Sequence, residues 1–396
     1  MDIALSDRVR AIKPSPTLVV SSRAAELRAE GRDIVSLGAG EPDFDTPAHI
    51  KEAAKKAIDD GFTKYTVVDG IPELKQAIIA KLKRDSDLEY APNQILVSCG
   101  AKHSIFNAFQ ALLSPGDEAI IPAPYWVSYP DMVILCDGKP VIIEAGIETE
   151  FKITPAQLEA AITPKTRLLM LNSPSNPTGV CYTRADLAAL GEVLLRHPHV
   201  VIVTDDIYEL ISWGDEPFCN IVTACPALYD RTVVINGVSK AYAMTGWRIG
   251  YSAGPPVVIN AMKKVQGQST SCPASVSQVA AAVALDGDHQ CVRDMVKVFK
   301  ERHDYVVERL NRGNGVRCLP AQGAFYAFPD VRGALESMPD VKDDVALAER
   351  LLVDAGVALV PGSAFGAPGY LRLSFATSTE NLTKALDRMD SVFGVG

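Results

Sequence analysis

The sequence predicts an α/β protein with a large domain, built on a seven-stranded, mainly parallel but mixed sheet between helices, and a smaller α+β domain. Three observations carry that prediction. Between about 95 and 255, short β-rich apolar runs alternate with amphipathic stretches, the pattern of a mainly parallel sheet covered by helices. The length of 396 residues exceeds the ~250–300 at which a single core stops growing. Beyond about 290 the pattern changes to one long amphipathic stretch followed by short strands.

Seven runs are candidate strands: 94–100, 117–124, 139–145, 166–174, 199–206, 232–240 and 248–254. Helices are expected between them, and the stretch from Arg184 to Leu195 puts Leu187, Leu190, Val193 and Leu194 on one helical face. Only eleven residues separate Asn236 from Arg248. A parallel neighbour needs a crossover of a dozen or more, so one strand is predicted to run antiparallel. The turn signal Asp286-Gly287-Asp288 precedes Val292, Met295, Val296, Phe299, Val306, Val307 and Leu310, which mark one face of a long helix. A domain boundary is placed there, with 49–290 as the large domain and 1–48 with 291–396 as the small one.

Apolar residues make up 47% and charged residues 22%, a globular mixture that is expected to fold throughout. The formal net charge is −9 and the basic residues are scattered, which speaks against nucleic acid as a partner. No apolar run approaches the ~18 residues of a membrane span. The opening segment MDIALSDRVRAIKPSPTLVV lacks the basic-then-apolar order of a secretory signal, so a cytoplasmic protein with no membrane partner is expected. The eight cysteines include no CxxC pair and read as reduced thiols, while the six histidines offer neither HExxH nor a Cys/His cluster for a metal. His197 and His199 read as residues of a solvated loop.

A buried lysine with a lowered pKa can attack an aldehyde and form a Schiff base. Lys240 lies just beyond a strand end in NGVSKAYAMTGWRIGY, on the side of an open sheet where ligands collect. Taken singly, such a lysine reads as a solvated loop residue; its company changes that. Arg248, eight residues on, offers a planar fork for phosphate or, alone, a surface ion pair, and Gly246 is expected to permit close backbone approach. Asp205 is either a carboxylate that keeps a pyridine nitrogen protonated or, like Asp206, a helix N-cap. Tyr208 would donate a phenolic hydrogen bond to a ring oxygen. The turn from Asn172 to Gly179 would hold the Asn176 amide, and the helix opening at Gly100-Ala101 would offer N–H groups to a phosphate. Trp126 would stack on a ring or pack in the core. Arg372 interrupts an alternating strand, as an outward charge or as a bidentate carboxylate clamp, and Gly40 reads as a turn glycine.

Taken in order over nearly the whole chain, AGEPDFDTP, PYWVSYP, NSPSNPTG, DDIYE, SKAYAMTGWRIGY and LRLSFATS resemble the class I aminotransferases of the fold-type I pyridoxal-phosphate group. The resemblance implies pyridoxal 5′-phosphate bound in the large domain, with Lys240 forming the Schiff base and shuttling the proton of the substrate α-carbon. It implies that Asp205 pairs with the pyridinium, Tyr208 and Asn176 bind the 3-oxygen, and Trp126 stacks on the ring. Gly100, Ala101, Lys102 and Arg248 would hold the phosphate. Arg372, with Asn176, Trp126 and the Gly40 backbone, would hold the amino-acid carboxylate. Tyr65 would reach a neighbouring subunit's phosphate, which implies a homodimer with shared active sites.

Within the family the chain resembles the bacterial aspartate aminotransferases. That implies ping-pong transfer from aspartate to 2-oxoglutarate, with Lys13, Thr17 and Lys102 toward the acidic side chain, because GQSTSCPAS contains no arginine for it. Prephenate or aromatic amino-acid transamination is the second reading, and a β-lyase or a non-catalytic regulator of the same fold are the remaining ones. Two positions depart from the family's pattern. Gly237 stands three residues before the lysine, where some members carry a hydroxyl, leaving Ser239 as the neighbouring one, and Asp206 replaces a common glutamate.

Overall fold

The seven apolar runs form one sheet in a computed structural model that describes residues 3–394. After a short first strand, β1 (Val35–Ser36), the sheet is built from β2 (Ile95–Ser98), β3 (Glu118–Ala123), β4 (Lys139–Glu144), β5 (Thr166–Asn172), β6 (Val201–Asp205), β7 (Thr232–Gly237) and β8 (Gly250–Ala253). Their order is β2-β8-β7-β6-β5-β3-β4. The pairs from β7 through β4 are parallel, whereas β8 is antiparallel to both β7 and β2. The short connection after β7 has the predicted effect, and it reverses β8.

Alternate residues of these strands feed two cores, one on each face of the sheet. Leu169 and Leu171 of β5, Ile202 of β6 and Val234 of β7 pack into one; Leu168, Met170, Val203, Val233 and Ile235 pack into the other. The helix Arg184–Arg196 buries Leu187, Leu190, Val193 and Leu194 as its spacing predicts. It starts at Thr183, whose hydroxyl accepts from the Asp186 N–H while Asp186 Oδ2 accepts from the Thr183 N–H, a reciprocal cap that satisfies two otherwise orphaned donors. His197 ends that helix and bonds Glu159 at 2.7 Å.

The helix Gln290–Leu310 buries Val292, Met295, Phe299, Val306 and Leu310, with Val296 and Val307 half-buried at its margins. It closes a third core together with the helix Thr379–Phe393. Around that core lie β9 (Tyr326–Ala327), β10 (Val357–Ala358), β11 (Val360–Pro361) and β12 (Leu371–Ser374). Strands β11, β12 and β9 form an antiparallel sheet, and β1 pairs in parallel with β10, Val35 opposite Val357. The N-terminal segment is thereby tied to the C-terminal third of the chain. Among the described residues no helix is long and apolar enough to cross a membrane, and all eight cysteines are unpaired.

Reversal of β8 matters for the site. Parallel strands release their following loops at one edge of the sheet, and an antiparallel strand begins where its neighbours end. Arg248 precedes β8, so it shares an edge with Asn172, Asp205 and Lys240, which end or follow β5, β6 and β7. Gly250 makes this closeness possible: a Cβ there would collide with the backbone of Gly100 and Ala101 at the start of the helix Ala101–Leu112. Backbone cannot retract as a side-chain tip can. Gly250→Ala is therefore expected to lower stability by about 1–3 kcal/mol, the usual cost of overpacking, read as a lower urea midpoint with an unchanged slope.

Candidate active site

A cavity of about 260 Å³ opens at this edge, lined among others by Lys240, Asp205, Asn176, Arg248, Arg372 and Trp126. Lys240 Nζ donates to the Gly40 carbonyl. Burial lowers its pKa to about 8; Arg248 and Arg372 push the same way, against Glu41 and Asp205. The amine is therefore largely protonated at neutral pH but within reach of deprotonation, as a nucleophile requires.

Asp205 behaves in the opposite sense. Burial pushes its carboxyl up to about 6, opposed by hydrogen bonds from Tyr129 and the Ile207 N–H and by the charge of Lys240. Tyr129 Oη donates to Oδ2 at 2.7 Å and the Ile207 N–H to Oδ1 at 3.3 Å. The bond to Ile207 is a local turn rather than a cap, since no helix starts at Asp205 or Asp206. Asp206 points elsewhere, accepting from Thr204 Oγ1 at 2.6 Å and from Asn220. Among the described residues no lysine or arginine forms an ion pair with Asp205, so a buried carboxylate faces the cavity ready for a cationic ring nitrogen.

Asn172 organises the turn after β5. Its Nδ2 donates to the Asp205 carbonyl and its Oδ1 accepts from the Asn176 N–H, both at 2.8 Å. Asn176 Oδ1 in turn accepts from Arg372 Nη1 at 3.0 Å, and Arg372 Nη2 donates to the Gly38 carbonyl at 2.7 Å. Arg372 is only 2% exposed, and its Nε has no partner. The guanidinium is thus not the outward charge of an alternating strand and, among the described residues, not the member of an internal ion pair, and a carboxylate is the ligand that would compensate it.

Arg248 adopts a left-handed backbone, φ 55°, anchors Nη1 on the Thr245 carbonyl at 2.7 Å, and lies flat against Gly100, where a Cβ would collide with the guanidinium. Gly100 has φ 91° and precedes the helix Ala101–Leu112 without a side-chain cap, so the first N–H groups of that helix are free for an anion. A Cβ on Gly246 would meet no protein atom within 4 Å, whereas Gly100 and Gly250 are closely approached by other parts of the chain. Gly237 leaves no space for a hydroxyl side chain, because a Cβ would lie 2.9 Å from the Ile249 carbonyl oxygen; Ser239 lines the cavity instead.

Lys102, Thr17, Gly40, Ala101 and Tyr208 also line the cavity, with Lys102 Nζ 4.8 Å from the Trp126 ring centre. Lys13 does not join them. It lines a neighbouring cavity with Asp131, since the segment ahead of the helix Pro16–Ala29 runs over that face. Tyr65 is 91% exposed and lies in a surface groove with Thr63, Lys64 and Cys272 rather than in the cavity of its own chain. Tyr129 and Tyr326 line the cavity without having been marked by the sequence. For Tyr129 a signal existed, its position three residues after Trp126, where a turn of chain brings both rings together at 5.3 Å.

The residues present fit pyridoxal phosphate on structural grounds: a free helix start and Arg248 for a phosphate, a buried carboxylate for a ring nitrogen, and a lysine of lowered pKa in the same cavity. Residues 32–389 match the family described as aminotransferase class I and II. The chain belongs to that family. It is 56% identical to the aspartate/prephenate aminotransferase of Nitrosomonas europaea, over 98% of this chain and 99% of that protein, and 49% identical to the aspartate aminotransferase of Geobacillus stearothermophilus, over 97% and 98%. Among solved structures, the aspartate aminotransferase of Rhizobium meliloti superposes with a TM-score of 0.95 at 47% identity, covering 99% of both chains. That of Thermus thermophilus with maleate superposes at 0.92 and 44% identity, covering 99% of this chain and 100% of its own. The protein is therefore an aminotransferase, with the mixed sheet of the family's fold.

In this aminotransferase Tyr129→Phe removes a donor to the charged form of Asp205, so the carboxyl is expected to titrate above its present value of about 6. Infrared or carbon NMR titration of the labelled side chain would read the rise; an unchanged midpoint would show that the Tyr129 bond does not hold Asp205 down.

Proposed function

We propose that this aminotransferase carries pyridoxal 5′-phosphate on Lys240 and transfers the amino group of aspartate to 2-oxoglutarate in alternating half-reactions at one site. The observation that carries the reading is the convergence of Lys240, Asp205, Arg248 and Arg372 on one cavity. When bound, the cofactor supplies an electron sink for the carbon from which a proton is removed. The chain's part is to bind, orient and move protons. Arg248 and the N–H groups of Ala101 and Lys102 would hold the phosphate, and Asp205 would keep the ring nitrogen protonated. Tyr208 and Asn176 would bind the ring oxygen and Trp126 would cover the ring. Arg372, steadied by Asn176, would hold the substrate α-carboxylate, with the Gly40 backbone beside it. Lys240 Nζ, neutral once released, would take the α-proton and return it one position along.

Aspartate as donor is supported by the names of the relatives, which specify aspartate, and by Lys102 and Thr17 in the cavity wall. Several of those names also specify prephenate, which supports prephenate as a second oxo acid acceptor. The exposed Tyr65 supports a homodimer in which it reaches the partner's phosphate site. Eight unpaired cysteines support a reducing, cytoplasmic setting. The separate core closed by the helix Gln290–Leu310 supports a division into a large cofactor-binding domain, 49–290, and a small domain of 1–48 with 291–396.

Because the neutral amine is the nucleophile, capture of pyridoxal phosphate by the apoenzyme should slow about tenfold per pH unit below about 8 and level off above it. Stopped-flow absorbance would measure this. Lys240→Ala should show neither capture nor a borohydride-stable label, and a label found on another lysine would overturn the assignment. Arg372→Ala should lower kcat/KM for aspartate by about 30-fold to several thousand-fold, the result of truncating a buried, hydrogen-bonded charge, while cofactor capture persists. Equal loss of both would mean that Arg372 serves folding rather than substrate.

A further inference from the structure

Tyr326 sits in β9, in the sequence FYAF, where an aromatic residue reads as ordinary core. It is fully buried and yet lines the cavity, touching three parts of it. Its hydroxyl lies 2.9 Å from the Tyr208 hydroxyl. A Cβ on Gly40 would come within 3.1 Å of the same hydroxyl, so the Gly40 backbone is packed against it. Its ring centre is 4.6 Å from the Arg372 guanidinium, which also has the Phe365 ring at 4.9 Å. Strand pairing explains the arrangement: Tyr326 is opposite Ser374 of β12, and Arg372 projects from the same face two residues earlier.

Two phenols in one hydrogen bond must divide the roles, one donating and one accepting. If Tyr208 gives its proton to a cofactor oxygen, only its lone pairs remain for Tyr326, which must then donate. A phenol that accepts one bond is polarised into a better donor for the next. The guanidinium, for its part, is a flat cation, and an aromatic face beneath it fixes its plane without using any of its N–H groups.

We propose that Tyr326 is a positioning residue serving both halves of the site: its hydroxyl donates to Tyr208 and strengthens the Tyr208 bond to the cofactor ring oxygen, and its ring is the shelf on which Arg372 meets the substrate carboxylate. The proposal rests on the cofactor reading given above. The charged groups that face the two hydroxyls are Arg372 from β12 and Asp205 from β6; Lys240, bonded to the Gly40 carbonyl, and Arg248 line the same cavity. The substitutions Tyr326→Phe and Tyr326→Leu leave all four in place.

The test uses reconstituted holoenzyme and follows the absorbance of the bound cofactor against pH. The ring oxygen is most negative in the deprotonated chromophore, so losing a donor disfavours that form. Tyr326→Phe is expected to raise the midpoint by about 0.5–1 pH unit, the size of one net hydrogen bond, and to add nothing in a Tyr208→Phe background. Maleate, titrated by the same absorbance, should bind Tyr326→Phe within about twofold of wild type and Tyr326→Leu about 2- to 30-fold more weakly, the range of a buried cation–π contact. An unchanged or lowered midpoint in Tyr326→Phe, or the same rise in the Tyr208→Phe background, overturns the hydroxyl's role. Equal maleate affinity in Tyr326→Leu overturns the ring's role. Should Tyr326→Leu not fold, loss of maleate affinity in Tyr326→Phe overturns the division between ring and hydroxyl. A wild-type holoenzyme without any pH-dependent band would instead overturn the cofactor reading itself, and the proposal with it.

Discussion

A guanidinium buried without a counter-ion among the described residues is the constraint around which this molecule is arranged. Removing a cation from water costs several kcal/mol even after relaxation, and Arg372 recovers only part of this from the Asn176 amide and the Gly38 carbonyl. The aromatic faces of Tyr326 and Phe365 recover a little more. Each of these partners comes from a different stretch of chain, so strands β9 and β12, the turn after β5 and the segment after β1 must all be in register for the charge to be tolerated. What remains uncompensated is available to an anionic ligand, the usual reason for keeping an expensive group in a protein interior.

The same surplus of positive charge governs the two titrating groups at the centre. Arg248 and Arg372 both depress Lys240, while Lys240 itself favours the charged form of Asp205. Desolvation acts on both, lowering the amine and raising the carboxyl, so their titrations are drawn together into the range from about 6 to about 8. Small changes in what occupies the cavity can therefore move protons, which is the working condition of acid–base chemistry.

Much of this was legible in the sequence because it is local. Strands β2 to β8 show as apolar runs, the reversal of β8 follows from the length of a single connection, and Lys240, Arg248, Asp205, Asn176 and Trp126 lie at strand ends or in the turns after them. The parts that were not legible depend on distant pairing. Tyr129 meets Asp205 across 76 residues of chain and Tyr208 meets Tyr326 across 118, and nothing near a tyrosine in the sequence tells which carboxylate or phenol it will face. Glycine contacts follow the same rule: a glycine announces freedom of its own backbone but not what stands opposite, and the close approaches between protein atoms occur at Gly100 and Gly250. Lys13 came from resemblance alone, and the path of the N-terminal segment takes it to the adjoining cavity.

The hairpin-like return from β7 to β8 has one more implication. Crossovers elsewhere in the sheet tolerate a residue more or less, because a surface helix can absorb the change. The return does not, since a slip of one residue in β8 would exchange its two faces and rotate the guanidinium fork away from the amine that shares its loop. The spacing between positions 240 and 248 is therefore a ruler built into the backbone, and natural length variation in this enzyme should be confined to segments that lie outside it.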